Sequence, residues 1–276
     1  MKAWEYIYDL TKNAVPVVLS EDEQTWEASN AAEKQVDNLL RVQWASHVPG
    51  SHAPESVVIA AVQSIEALGC DVSAAEELIP EGLDALKRND MKALQRITAR
   101  IFNILFMCPS DTSSDYWKST LYQSFDEYEK AIAFPAAETE TLSNAVLYDK
   151  TKAAWLGRLC GGGFGTALEG YTTAQLKKKF GEIHTYVRKP NTYNDDITYE
   201  IAFLEACFKA QGMPTSADIA DQWLELIPCG WSAEQVALDN LRRGMYPPES
   251  GLFRNPYREW IGAQMRGAVC GQVAPL

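Results

Sequence analysis

The stretch Asn194-Asp195-Asp196 places an amide and two neighbouring carboxylates just before an apolar pattern of helical spacing. That pattern runs to Gly212 through Ile197, Ile201, Leu204 and Phe208, so the polar group lies at the N-terminus of a predicted helix. Such residues can cap a helix, because they accept hydrogen bonds from its free backbone N–H groups. Adjacent carboxylates can instead chelate a hard cation such as Mg²⁺, although two acids fill only part of its octahedral shell. The pattern alone favours the cap.

A glycine-rich stretch from Gly157 to Gly170 precedes these acids and contains one carboxylate, Glu169. Its glycines at positions 157, 161 and 165 would share one face of a helix. Each costs a helix roughly 1 kcal/mol relative to alanine, so their spacing predicts compensating close packing against another helix. A phosphate-binding loop is the alternative, but neither G-x-x-x-x-G-K-[ST] nor G-x-G-x-x-G is present.

A third stretch, residues 243–267, begins as a loop with Pro-Pro, Ser-Gly and Asn-Pro pairs and becomes rich in glycine and alanine around Arg266. Long ordered loops of this kind often carry functional residues. Alone, this stretch indicates little about the chemistry.

Together, the three stretches resemble the ADP-ribosylglycohydrolase family. G-x-x-x-G-G-G-F-G-T-A-L-E, from Gly157 to Glu169, is similar to the family's glycine-rich opening helix, G-x-x-x-G-D-A-x-G-x-P-x-E. N-D-D-I-T, from Asn194 to Thr198, resembles its T-D-D-T metal motif, and W-I-G-A-Q-M-R resembles its G-x-G-A-A-M-R segment. The motifs occur in the family's order and span residues 150–276.

The resemblance implies an all-helical fold with two Mg²⁺ ions in a cleft that binds ADP-ribose. Members of the family cleave ADP-ribose from protein side chains, from its polymer or from related small molecules. By position, Asp195 and Asp196 would be metal ligands, with Asn194 in place of the usual threonine. Glu169 would be the catalytic carboxylate near the scissile bond. The nucleotide or ribose side would be lined by Gly262, Ala263, Gln264 and Arg266.

Besides Asn194, the sequence departs from the family pattern in three respects. Gly162 stands where the family usually has aspartate, and Ala167 where it usually has proline. The second metal motif, D-x-D-T, has no counterpart after Asp196. We therefore expect a domain that is incomplete at its C-terminus. Its activity would then require a partner chain, a homo-oligomer or a longer product.

Helical patterns run through nearly the whole chain and predict an all-α fold. The polar, proline-led segment between Phe134 and Tyr148 is the predicted domain junction. Residues 1–140 would form a helical N-terminal domain of unknown role, and residues 141–276 the incomplete ADP-ribosylglycohydrolase-like domain.

Several elements of the N-terminal part can be predicted from their own residues. Helices are expected over 57–68, from Ser73 up to Pro80, and from Asp90 up to Pro109. The aromatic-rich segment 116–134 is predicted to be a helix packed in a core, with a stacking platform for bases as the alternative. Residues 183–188 could form a short strand, and no other segment has a period of two.

Composition excludes several classes of function. The net charge of −12 argues against binding to nucleic acid or to an anionic membrane, although an acidic site for a divalent cation fits it. The six cysteines never form a C-x-x-C pair, so we expect buried free thiols. We find neither a signal peptide at the N-terminus nor an apolar run of membrane-spanning length, and we expect a cytoplasmic protein.

Three other functions remain open from the sequence. The chain could be a truncated, non-catalytic module that binds ADP-ribose, another nucleotide or a protein. Its N-terminal helices could instead be an interaction module, which an exposed aromatic patch on residues 116–134 would support. It could also be an unrelated helical protein in which Asp195 and Asp196 only cap a helix.

Overall fold

A computed structural model of the chain describes residues 1–24, 26–118, 122, 124–134, 142–189 and 194–274. Within these ranges nearly all regular structure is helical, so the all-α prediction is confirmed. The chain divides into two units, residues 1–39 and 40–276. The predicted domain junction falls largely on residues 135–141, outside the described residues, and the boundary at residue 140 stays a prediction.

The first unit contains helix α1 (Ala3–Lys12), a 3₁₀ turn (Glu21–Glu23) and most of helix α2 (Glu27–Trp44), whose last residues belong to the second unit. Helix α1 has no buried residue. Its apolar side chains, among them Trp4 and Ile7, are therefore exposed.

The second unit is a succession of helices with one short hairpin. Strands β1 (Ser46–His47) and β2 (Pro54–Glu55) form an antiparallel pair. Its helices before residue 135 are α3 (Val57–Ala67), α4 (Ser73–Glu76), α5 (Ile79–Arg88), α6 (Met91–Met107), a 3₁₀ turn (Asp115–Lys118) and α7 (Phe125–Ala131). Those after residue 141 are α8 (Asn144–Gly165), α9 (Thr173–Phe180), α10 (Asp195–Ala210), α11 (Ser216–Leu226), α12 (Ser232–Arg242), α13 (Glu249–Leu252), α14 (Gly262–Arg266) and α15 (Ala268–Val273).

Two of the predicted helix starts carry a capping side chain. The Ser56 hydroxyl accepts a hydrogen bond from the backbone N–H of Ile59 (3.4 Å), and the Asp90 carboxylate accepts one from Ala93 (3.0 Å). The predicted stop at Pro80 is wrong, because this proline lies in the first turn of α5. Its missing N–H costs nothing there, since a first-turn N–H has no partner within the helix.

Two local structures differ from the sequence-based expectation because strands depend on pairing with another part of the chain. The β1–β2 hairpin was not predicted, because its strands are only two residues long and leave no alternating pattern. Residues 183–188 form no strand. Since a strand requires a partner, β propensity alone does not produce one.

The aromatic-rich segment is not a core helix in the part that is described. Only residues 125–131 of it form an α-helix, and residues 119–121 and 123 lie outside the described residues. Tyr122, Phe125 and Phe134 are exposed, and Tyr122 and Phe134 each contact the ring of Tyr128. This exposed aromatic cluster matches what the interaction-module hypothesis requires.

The main hydrophobic core is built by the end of α2 together with α3, α5 and α6. Trp44 is 2% exposed, and its indole N–H donates a hydrogen bond to the hydroxyl of Thr98 at 2.7 Å. Its ring lies against Gly82 so closely that a Cβ there would come within 2.0 Å of it. The other fully buried members include Val58, Ala61, Leu94, Ile97 and Ile101.

Residues from the second half of the sequence complete this core. Tyr257 is buried in it and donates a hydrogen bond to the carbonyl of Val57 at 2.7 Å. The indole N–H of Trp260 donates to the hydroxyl of Ser64, and that of Trp231 to the carboxylate of Glu55. A second, smaller core lies between α10, α11 and α12, around Tyr199, Ala202, Ile227 and Leu238.

The cysteines and the helices bear on two further expectations. All six cysteines are free, but three are exposed and three are only half-buried, so the prediction of buried thiols is wrong. None of the described helices combines the length and the apolar character that crossing a membrane requires.

Two glycine-to-alanine substitutions should change stability in opposite directions. We expect Gly82→Ala to lower the free energy of unfolding by about 1 to 3 kcal/mol, because the added methyl overlaps the Trp44 ring. Gly157→Ala should raise it by up to about 1 kcal/mol, because it improves helix propensity where no described atom lies within 4 Å. Urea unfolding measures both. A stabilising Gly82→Ala would contradict the packing of Trp44.

Candidate active site

Glu169 is held on a tight turn at the end of α8. The helix begins at Ser143, whose hydroxyl accepts a hydrogen bond from Val146, and it ends at Gly165. The backbone N–H of Glu169 then donates to the carbonyl of Gly165 at 3.2 Å. Gly170 follows with a positive φ of +72°, which L side chains rarely adopt. The turn therefore fixes where the Glu169 backbone lies relative to the end of α8.

The predicted glycine face of α8 is not packed as expected. A Cβ added at position 157, 161 or 165 would meet no described atom within 4 Å. The close approach by a second helix is therefore not found. Gly162, on a different side of the helix, does make a close contact.

Asn194 precedes α10 but does not cap it with its side chain. Its carbonyl accepts hydrogen bonds from the backbone of Thr198 and, at 2.9 Å, from the Thr198 hydroxyl. Its side-chain Oδ1 is buried and accepts no hydrogen bond from the described residues. The cap interpretation therefore does not account for this amide.

Gly162 and Asn194 lie against each other. A Cβ at position 162 would come within 2.4 Å of Asn194 Nδ2. The amide of Asn194 thus fills the volume that a side chain at position 162 would occupy. These are two of the positions where the sequence departs from the family pattern, and the two departures are sterically linked.

The three candidate carboxylates are close enough to influence one another. Burial, followed by the negative charges of Asp195 and Asp196, raises the pKa of Glu169 to about 7. Glu169 as a whole residue is exposed. Burial and Asp195 also raise the pKa of Asp196, while Arg158 and Arg266 act to lower it. The structure therefore brings the predicted catalytic and metal-binding acids into one region.

The oxygen atoms of the candidate ligands suit a hard cation, but the described side chains are not arranged as a compact metal site. Carboxylate and amide oxygens are the ligands that Mg²⁺ prefers. Among the described residues, however, no three His, Cys, Asp or Glu side chains are arranged closely enough to hold a metal ion. Residues 191–193, just before Asn194, lie outside the described residues. The donor chemistry fits Mg²⁺, and the described ligand set is partial.

Arg158 and Glu200 organise this region, and the sequence analysis assigned them no role. Glu200 is fully buried and forms an ion pair with Arg158 Nη1. Arg158 Nη2 donates hydrogen bonds to the carbonyls of Asp196 (3.2 Å) and Met265 (3.1 Å). The second oxygen of Glu200 accepts from the backbone N–H of Val269. One ion pair thus joins α8, α10, α14 and α15.

A sequence signal for this pair existed. Glu200 lies four residues after Asp196, so the two share a helix face, and it is a charged residue within an otherwise apolar pattern. A buried glutamate needs a cation or hydrogen-bond donors. The sequence does not show which of the chain's arginines supplies them.

The predicted ribose-side residues lie on α14, and two of them contact the same neighbours. Arg266 forms an ion pair with Glu234 at 2.7 Å, and its guanidinium lies 4.1 Å from the ring centre of Tyr199. A Cβ at Gly262 would come within 2.5 Å of the Glu234 carboxylate and 2.6 Å of Arg266. A side chain at position 262 would therefore displace the ends of both partners of this ion pair.

The four predicted ribose-side residues differ in how they relate to the carboxylates. Arg266 is close enough to act on the pKa of Asp196. Ala263 and Gln264 are exposed on α14. Their predicted contact with a nucleotide stays a prediction, as do the roles of Gly262 and Arg266.

Removing the buried charge of Glu200 should destabilise the fold. We expect Glu200→Gln to lower the free energy of unfolding by about 3 kcal/mol, because Arg158 loses its counter-charge in a mostly buried site. Glu205→Gln, at an exposed position of the same helix, should change it by less than about 0.5 kcal/mol. Urea unfolding compares the two variants. Equal losses would show that the ion pair has no organising role.

The raised pKa of Glu169 predicts a pH-dependent effect of Glu169→Gln without divalent cations. In the native state this carboxyl titrates near pH 7, against 4.5 ordinarily, so the wild-type chain should lose stability as the pH rises from about 4.5 to 7. The variant lacks this loss. Its melting temperature relative to wild type should therefore be higher at pH 8 than at pH 4. A difference that is independent of pH would contradict the raised pKa.

Comparison with known proteins gives one match. Residues 143–275 match the family model described as ADP-ribosylglycohydrolase, over a little under half of the chain. The resemblance seen in the sequence is thereby confirmed for this part. No curated protein and no solved structure matches the chain significantly.

Proposed function

We propose that this chain is a Mg²⁺-dependent hydrolase of the ADP-ribosylglycohydrolase type, because residues 143–275 match the model of that family. It would cleave the bond that joins C1″ of ADP-ribose to a modified protein or to a small molecule. The observation that supports this most directly is that the turn carrying Glu169 and the start of α10 lie together in the fold.

That juxtaposition rests on contacts between α8 and α10. Gly162 of α8 abuts the side chain of Asn194, and Arg158 of the same helix donates a hydrogen bond to the carbonyl of Asp196. The mutual electrostatic effects of Glu169, Asp195 and Asp196 agree with these contacts. Acids from two sequence stretches about 25 residues apart thereby reach one region.

Mg²⁺ would be held by Asp195, Asp196 and the side-chain oxygen of Asn194. Burial and the charge of Asp195 raise the pKa of Asp196, and a cation would relieve that repulsion. The Asn194 oxygen accepts no hydrogen bond from the described residues. When bound, the metal supplies positive charge that orients the ribose hydroxyls and a water molecule. Water or further protein ligands must complete its coordination shell.

Glu169 would move the proton in this reaction. A group whose pKa lies near 7 is protonated in about half of the molecules at neutral pH, and it can therefore both give and accept a proton there. We propose that Glu169 gives a proton to the leaving group, or accepts one from the attacking water, as positive charge develops at the anomeric carbon. Arg158 and Arg266 are positioning residues, since both are held by ion pairs to glutamates.

A second candidate function is binding of ADP-ribose without hydrolysis. The loose arrangement of metal-binding side chains in the described part of the chain favours it. In that case the chain would act as an ADP-ribose-binding module. It could also gain activity when a partner chain or a second copy adds the missing ligands.

Release of free ADP-ribose from an ADP-ribosylated protein distinguishes these two functions. With Mg²⁺ we expect release by the wild-type chain, a roughly 10²- to 10⁴-fold slower rate for Glu169→Gln, and no release for Asp195→Asn/Asp196→Asn. Glu182→Gln, an exposed glutamate on the loop after α9, is the matched control and should retain the full rate.

Calorimetry with ADP-ribose completes this test. A chain that binds ADP-ribose tightly with Mg²⁺ but releases none from a modified protein would be a binding module, and the hydrolase proposal would then be wrong. Replacing both aspartates with serine, which still caps a helix, should also weaken binding. If it does not, Asp195 and Asp196 only cap α10.

A further inference from the structure

A pocket of about 440 Å³ opens beside the turn that carries Glu169. Ala167 and Tyr171, two residues on either side of Glu169, are part of its lining. Helix α9 and the loop after it form most of the rest, including Lys179, Phe180 and Arg188. Its volume is in the range of small-molecule sites.

The far wall of the pocket comes from the β1–β2 hairpin loop, through Ser51. Tyr171 donates a hydrogen bond to the carbonyl of Ser51. Gly50, with φ +96°, lies so close to Thr166 that a Cβ there would come within 2.1 Å of it. A Cβ at Gly170 would likewise come within 2.7 Å of Ala53. The wall is thus packed directly against the turn of Glu169.

The charge of the pocket is opposite to that of the chain. The chain has a net charge of −12, yet the lining carries the two cations Lys179 and Arg188 and no carboxylate. The segment 177–189 also contains Lys177, Lys178 and Lys189, against one acid, Glu182. A local excess of positive charge on an acidic protein favours an anionic ligand at this place. An arginine and a lysine together suit phosphate oxygens.

The remaining lining suits a flat, apolar group. Tyr171 and Phe180 are 36% and 43% exposed, so both rings are accessible at the pocket. Exposed aromatic side chains beside cations are the combination on which nucleic-acid bases stack while their phosphates pair with lysine or arginine. An acid that lacks a ring would leave the aromatic part of the pocket unused.

We propose that this pocket binds a nucleoside phosphate, with its base against Tyr171 and Phe180 and its phosphate paired with Lys179 and Arg188. The inference rests on the proposed function and extends it, because the pocket adjoins the turn that carries Glu169. That nucleotide is either the AMP half of the bound ADP-ribose or a separate nucleotide, such as one in a leaving group.

Calorimetric titration of the full chain with AMP tests the proposal. We expect AMP to bind, and to bind roughly tenfold more weakly to Lys179→Gln and to Arg188→Gln, since each loses a charged contact to phosphate. Phe180→Ala should weaken binding by a similar factor through lost stacking. Lys178→Gln, on the same helix but outside the lining, is the matched control and should bind AMP as the wild type does.

Two further probes separate the parts of the ligand. Adenosine and inorganic phosphate should each bind at least about tenfold more weakly than AMP, because each lacks one half of the contacts. The proposal is wrong if AMP does not bind. It is also wrong if adenosine binds as tightly as AMP, or if the variants at 179 and 188 bind AMP as tightly as Lys178→Gln.

EDTA and ADP-ribose relate this result to the proposed hydrolysis. The lining contains no carboxylate, so AMP binding should persist in EDTA, whereas hydrolysis should stop. AMP binding without any hydrolysis would thus contradict the hydrolase proposal alone. Competition between AMP and ADP-ribose would identify the pocket as the site of the AMP half of ADP-ribose. Simultaneous binding would identify a separate nucleotide, and both results support the pocket.

Discussion

The ion pair between Arg158 and Glu200 is the interaction on which the candidate site depends. Glu200 is fully buried, so its charge is tolerable only because Arg158 and the N–H of Val269 surround it. The two further hydrogen bonds of Arg158 go to the backbone at Asp196 and Met265. A single guanidinium therefore holds the start of α10 and the end of α14 against α8. The pair thereby helps to position the start of α10, which carries Asp195 and Asp196.

Acidic and basic side chains lie close together in the candidate site. Glu169, Asp195 and Asp196 repel one another, and Arg158 and Arg266 offset part of that repulsion at Asp196. Burial, together with this repulsion, raises the pKa of the Glu169 carboxyl to about 7. An added cation would relieve the remaining repulsion, which is the physical reason for the proposed metal. Asn194 Oδ1, which accepts no hydrogen bond from the described residues, is the neutral ligand in this proposal.

Glycines contribute to this site by the space they leave. Gly162 makes room for the Asn194 amide, and Gly262 makes room for the ion pair of Arg266 with Glu234. Gly170 and Gly50 let the β1–β2 hairpin approach the turn of Glu169. The N-terminal part of the chain thus supplies a wall next to the proposed catalytic carboxylate. A glycine face on a helix, by contrast, leads to close contact only where a second helix packs against it. Among the described residues, no atom lies close to the 157-161-165 face of α8.

The sequence by itself determined the helical class, the starts of α3, α6 and α10, and the family resemblance that points to Glu169, Asp195 and Asp196. These features depend on residues within one or two helical turns of each other, where capping and periodicity act. Only the tertiary structure decided that Arg158 pairs with Glu200, that Asn194 faces Gly162, and that Ser51 borders a pocket beside Glu169. Arg158 and Met265 are 107 residues apart, and Tyr171 and Ser51 are 120 apart. No local pattern specifies which distant partner a buried charge or a glycine gap will meet, because that choice is made by the packing of whole helices.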